Sequence, residues 1–491
     1  MELTDLSADV LSRLLRSAEV SAREVMTAYL NRIDSVNPQC NAIVSLADRE
    51  VLLAEAASKD DLLLRARAEG FDVGWMHAMP QAIKDLTDAK GFPTTRGSRL
   101  FRDNVATADS LMVERMKRAG CIVIGKTNTP EFGLGSHTFN EVFGATRNPY
   151  DPTTSAGGSS GGAAVALATR MLPVADGSDY GGSLRNPAAW NNVFGFRPSE
   201  NLVPTWPATD VWHSRQSTAG PMGRTIVDVA HLLTIQAGYD QRLPLSIDHG
   251  EDFAGGLDRD RGPVRIGWLG DLDGYLPMEP GIVSACEGGL SRLEHHGCEV
   301  EPTRIDFDLP SIWEAWCVLR SLVVGHDLKP LLVDPQKRAL VKPEAQWEYE
   351  QSVGLSASVV LVASTVRTNF FHYLLSLFAN FDALAIPTAQ VWPFDIAKRW
   401  PTDINGVTMG TYHRWMEVVI YATFAGLPSV SVPVGFNERG LPMGMQLIGR
   451  PRGDLDVLRL AHRYEQVIAD LLARRPPASS TSSFTSSFAS P

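Results

Sequence analysis

Ser155-Ala-Gly-Gly-Ser-Ser-Gly-Gly162, answered further along by Asp179-Tyr-Gly-Gly-Ser183, is the stretch on which the reading of this chain turns. Each run sets a serine among glycines, which leave the backbone free to take unusual torsions and to approach another group closely. Gly161–Met171 is alanine-rich and helical in pattern, Pro173-Val-Ala leads into the second glycine turn, and Ser183–Trp190 opens another helix with Pro187 in its first turn. A third piece stands upstream, the lone lysine of Ala82-Ile83-Lys84-Asp85, at the end of a short strand expected over 79–84.

These residue types fit one chemistry. A serine hydroxyl is a poor nucleophile unless a base takes its proton as it attacks. Lysine is such a base only when burial or a nearby cation lowers its pKa, and Lys84 follows two apolar residues. Ser159 can pass a proton between Ser183 and Lys84. The amides of Tyr180, Gly181 and Gly182 precede Ser183 and can face a developing oxyanion, where losing one donor costs roughly 10²–10³ in rate. A helix opening at Ser183 would add its free N–H groups. The three pieces together make a Ser–Ser–Lys acyl-transfer site, suited to cleaving amides without metal or histidine.

Rival readings fail on context. Gly157-Gly-Ser-Ser-Gly161 satisfies the G-x-S-x-G elbow, but that elbow must follow a buried strand, and Thr146–Thr154 is a polar, proline-broken loop. No Gly-Lys-Ser/Thr follows the glycines, so this is no phosphate-binding loop. There is no Ser-x-x-Lys, and the 11 histidines contain no His-x-x-x-His pair of the usual zinc hydrolase kind.

Outward from the serines the chain alternates helical and strand-like segments. Residues 7–34 read as amphipathic helices with Ser7 and Ser21 as N-caps, and 47–69 are helical. Ser110–Ala119 is a helix stopped by Gly120 before the strand Cys121-Ile-Val-Ile124, an α/β signal. Residues 241–262, rich in Gly, Asp and Pro, form the internal boundary. Beyond it, a strand is expected to begin near Arg265, helices over 279–297 and 311–380, strands at Ala383–Thr388 and Ser429–Val434, and one terminal helix over Asp454–Leu472.

The 491 residues carry a net charge of −11, which argues against a nucleic acid or an anionic membrane as partner. The five cysteines, at 40, 121, 286, 298 and 317, make neither a disulfide framework nor a zinc motif, and a reducing compartment fits them. With no secretory signal and no run of 18 apolar residues, a soluble cytoplasmic protein is expected.

At these residues the chain resembles the amidase signature family. The resemblance covers most of 70–235 and resumes at 381–466. Besides the two serine loops it takes in Gly125-Lys-Thr-Asn128, Glu131-Phe132, Phe143-Gly144, Asn148-Pro149, Thr218-Ala-Gly-Pro-Met222 and Gly440-Leu-Pro-Met-Gly-Met-Gln446. It implies one α/β domain over 1–474, a large twisted mixed β-sheet surrounded by helices, with a variable, mainly helical substrate region near 241–420; the Ser/Thr/Pro-rich composition of 475–491 makes a disordered tail the expectation there. It also implies Ser183 as nucleophile, Lys84 as base and Ser159 as bridging serine on a cis peptide after Gly158. Tyr180, Gly181 and Gly182 would form the oxyanion hole, Arg185 a structural charge partner, and Gly133, Leu134 and Gly135 the acyl side of the pocket. No cofactor or metal is implied, and family habit suggests a homodimer.

Four positions depart from the family pattern. Tyr180 replaces a small or aliphatic residue, Asp176 an apolar one, Ala78 a glycine and Thr423 an asparagine. Six of the 11 tryptophans, at 313, 316, 347, 392, 400 and 415, cluster within about a hundred residues of the variable region, as expected of an aromatic pocket for apolar or aryl substrates. Cys317, between Trp316 and Val318, is expected to line it. Small amides, anilides, carbamates and nylon-type oligomers are all within reach of this chemistry, with esters as side substrates. The alternatives are a glutaminase-type subunit of a tRNA-dependent amidotransferase and a non-catalytic binding protein on the same fold.

Overall fold

A computed structural model describes residues 2–213, 216–259 and 262–477. From residue 478 onward, the tail expected to be disordered lies outside the described residues. Local signals set the N-terminal helices: Ser7 Oγ accepts from Val10 N, and Ser21 with Glu24 forms a reciprocal capping box. Ser110 caps Leu111–Arg118 in the same way, and Gly120 (φ +108°) ends that turn.

Two sheets carry the site. The smaller has β1 (Ile43–Val44), β3 (Ile122–Thr127) and β2 (Pro80–Lys84) side by side, with β2 parallel to β3. The larger has eight strands in the spatial order β8 (Cys298–Pro302), β7 (Val264–Trp268), β9 (Ala383–Pro387), β11 (Pro442–Gly449), β10 (Ser429–Phe436), β5 (Phe194–Arg197), β6 (Thr218–Gly223) and β4 (Val174–Asp179). The β8–β7–β9 pairings are parallel and the rest antiparallel, so the sheet is mixed. Strands from before and after 241–262 therefore share one sheet, and that polar stretch connects two of its strands.

Two large apolar cores flank these sheets. One holds the N-terminal helices and the helix Gly161–Ala168 against the small sheet, through Tyr29, Ile83 and Ile122. The other joins the large sheet to the helices of the second half, through Trp190, Phe196, Trp316 and Trp415. Each such side chain taken from water contributes roughly 1.5–3 kcal/mol. The second half is helical as expected: Leu309–Leu332, Pro343–Ser352 and Ala357–Leu377, with a proline at the start of the second. The single terminal helix expected over 454–472 breaks into Asp454–Glu465 and Ala469–Leu472, because Ile468 leaves the helical backbone (φ −120°, ψ 24°) and buries its side chain. Among the described residues no single helix is long and apolar enough to cross a membrane.

Candidate active site

Lys84 ends β2 fully buried, beside β4 and the loop that precedes the helix Gly161–Ala168. Its Nζ donates to Ser159 Oγ at 2.8 Å, Ser160 Oγ at 2.8 Å and Ser178 Oγ at 3.1 Å. Burial lowers its pKa to about 7, against the opposing pull of Asp176 and Asp179. The partners of the amine are hydroxyls and a carbonyl rather than carboxylates, so a neutral amine is accessible near neutral pH.

The serine loop is fastened from behind. The peptide between Gly158 and Ser159 is cis, Ser136 Oγ donates to the Gly158 carbonyl at 2.7 Å, and Thr138 Oγ1 to the Gly157 carbonyl at 2.8 Å. Ser160 N donates to the Ser183 carbonyl at 3.2 Å, tying the two loops together. Ser183 follows Gly182, whose φ of +83° and contacts with Asn186 and Val419 leave no room for a Cβ. Among the described residues the Ser183 hydroxyl has no hydrogen-bond partner, and the residue is slightly exposed, while Ser159 is almost wholly buried.

Asp179 organises the second loop. It accepts from Arg185 Nε at 3.0 Å and Nη2 at 2.9 Å, from Gly182 N at 2.9 Å and from Leu184 N at 3.1 Å. Burial opposes its charge, yet Arg185 and Arg197 hold it well below the usual carboxylate range. Arg185 reaches further, to the Val419 carbonyl at 2.8 Å, Thr423 Oγ1 at 2.8 Å and Gln446 Oε1. Of the three amides expected to face an oxyanion, that of Gly182 donates to Asp179 across the short Asp179–Gly182 turn. The Gly181 and Ser183 amides have no acceptor among the described residues.

The expected acyl-side segment runs beside Ser159. A Cβ on Gly133 (φ +70°) would come within 3.5 Å of Ser159 Oγ, the Leu134 carbonyl accepts from Lys342 Nζ at 2.7 Å, and Gly135 faces the Tyr412 ring. Gly135, Phe139, Trp400, Tyr412 and Trp415 there enclose a space of only about 10 Å³. Gly181 faces Trp316 and Met416 instead, its missing Cβ 3.5 Å from the indole. Cys317, one residue past Trp316, packs on the large core, and burial pushes its thiol well above the usual value. A cavity of about 790 Å³ lies elsewhere, lined by Leu257, Val264, Arg450 and Arg463 among others.

Several contacts escaped the sequence reading. Ser178 and Asp176, on β4, both touch Lys84, Asp176 Oδ2 accepting from its backbone N at 3.2 Å. A buried Arg320–Glu348 pair (2.6 Å), with Tyr412 on both partners, places the guanidinium over the Tyr180 and Trp316 rings. Ala78, in place of the usual glycine, sits at φ +58°, and Thr423 serves Arg185.

A mixed sheet with a buried lysine held among the serines of one glycine-rich loop and of β4, with a second glycine-rich loop tied to the first, defines a hydrolase of the amidase signature class. An amidase family model matches residues 24–458. The chain is 32% identical to an acylamidase of Rhodococcus erythropolis over 94% of this chain and 95% of that one. It is 33% identical to a glutamyl-tRNA(Gln) amidotransferase subunit from a Picosynechococcus species, over 94% and 97%. The structure of a bacterial aryl acylamidase superposes with a TM-score of 0.87 at 29% identity, covering 96% of this chain and 99% of that one. The chain belongs to the amidase family, and amide hydrolysis is its class of chemistry.

Proposed function

We propose that this chain is an amidase for small apolar or aryl amides, working through an acyl-enzyme on Ser183. Ser183 Oγ attacks the acyl carbon while its proton passes to Ser159, whose own proton goes to the neutral Lys84 amine. The Gly181 and Ser183 amides, with Tyr180 beside them, receive the oxyanion. Collapse breaks the C–N bond, the proton returns through Ser159 to the departing amine, and water releases the acid by the same relay. The observation that carries this reading is the fully buried Lys84 with its Nζ 2.8 Å from Ser159 Oγ. Trp316 against Gly181, with Tyr180 and Met416, supports an aromatic or apolar substrate. Anilides, linear alkyl amides, carbamates and esters present the same acyl carbon.

The test is mass spectrometry of the intact protein after exposure to a fluorophosphonate, beside Ser183→Ala and Lys84→Ala. A single adduct on Ser183, absent in the first variant and slowed in the second, supports the reading. Labelling at Ser159 rather than Ser183 would overturn it. A second reading, the amidotransferase subunit, draws on the 33% identity over nearly the whole chain. It requires glutaminase activity that appears only when a partner protein is added.

A further inference from the structure

We propose that Asp176 is a positioning residue for Lys84: its carboxylate fixes the lysine backbone and its charge raises the proton affinity of the lysine amine. The inference rests on Lys84 acting as the base. Asp176 stands on β4, two residues before Ser178, and is fully buried. Its Oδ2 accepts from Lys84 N at 3.2 Å and its Oδ1 from Gln81 Nε2 at 3.2 Å, so both oxygens serve β2. In the sheet Asp176 pairs with Pro221, which has no N–H to give. Its neighbours Val174, Ala175 and Gly177 are apolar or small and carry no charge.

The charges around Lys84 explain why one is present. From β3 comes Lys126, which faces Asp85 at 4.0 Å and donates to the Thr87 carbonyl. From β4 come Asp176 and Asp179, and Arg185 and Arg197 engage the latter. The serines 159, 160 and 178 contribute only hydroxyls. Three buried carboxylates thus face three buried cations before Lys84 is counted. With the lysine neutral this layer is balanced. Without Asp176 it carries an excess positive charge, and the Lys84 proton leaves more readily. Burial raises Asp176 itself above its usual value, opposed by the Lys84 amide, Gln81 and Lys126.

The experiment measures the rate at which a fluorophosphonate phosphonylates Ser183, with loss of fluoride, against pH from about 5 to about 9, for the wild type, Asp176→Asn and Gln81→Met. The acid limb, where the rate rises as Lys84 loses its proton, should move down by about one pH unit in Asp176→Asn, a roughly tenfold weaker proton affinity. Gln81→Met, which keeps the charge, should leave the limb in place. If Asp176→Asn does not fold, Asp176→Ser opens space instead of crowding and carries the same expectation. A lower plateau with an unmoved limb overturns the inference alone, since a purely structural role predicts that result. A wild type that does not label at Ser183, or labels without an acid limb, overturns the lysine-base reading and the inference with it.

Discussion

Replacing Asp179 by asparagine tests whether the nucleophile loop is held by one buried carboxylate. The variant keeps the size of the side chain but removes the charge that faces Arg185 and Arg197, both fully buried. It also sets an amide N–H₂ against one of two N–H donors, Gly182 or Leu184. Removing one partner of a buried ion pair costs about 3–5 kcal/mol because the other charge is stranded. Asp179 is depressed in the folded state, so its contribution is complete above the unfolded carboxyl value of about 4 and is lost only as pH falls through the folded value. At neutral pH the full loss should therefore be seen. Gly182 loses the anchor for its left-handed backbone, and misplacing Ser183 by about 1 Å should slow acylation about 10²-fold. Urea unfolding and phosphonate labelling, both at neutral pH, measure the two effects. A variant within about 1 kcal/mol of the wild type that labels at the wild-type rate would refute the reasoning.

Other outcomes follow from the same geometry. In the wild type, kcat/KM should rise through a pH of about 7 as Lys84 loses its proton, and a flat profile across that range would exclude it as the base. Ser159→Ala should slow acylation by about 10²–10⁴ while Ser183 still labels; labelling at the wild-type rate would remove Ser159 from the relay. Gly133→Ala meets Leu86 Cδ1 at 2.7 Å and carries φ +70°, so activity on bulky acyl groups should fall most; equal loss across a panel of acyl sizes would count against an acyl-side role. Cys317 packs on the large core, so Cys317→Ala should lower stability and leave selectivity among aryl amides unchanged; a shifted panel would place it at the pocket instead.

What the sequence disclosed depended on how far apart the interacting residues lie. Ser7, Ser21 and Ser110 cap helices within three residues, so short-range pattern sufficed. Lys84 and Ser159 could be singled out because glycine-flanked serines are a local signature, although the two touch only in the fold. Asp176 and Ser178 could not, since their contact with Lys84 spans more than 90 residues and depends on how β2 lies beside β4. Arg320 and Glu348 sit on two separate helices, and neither carries a mark of its pairing. β6, Thr218–Gly223, hid behind a glycine and a proline that usually argue against a sheet interior. The Gly182 amide shows the same limit: spacing placed it near Ser183 but could not show its hydrogen bond to Asp179.

Arg185 has a consequence for where this chain can be divided. All three of Lys84, Ser159 and Ser183 precede residue 241, yet the Arg185 that braces the loop finds Val419, Thr423 and Gln446 on the far side of that point. Severed within 241–259, the first fragment would hold every group of the proposed relay and still lack the partners that brace the Asp179–Arg185 loop. Reactivity toward a phosphonate would then report reunion of the two pieces, making the enzyme its own complementation sensor.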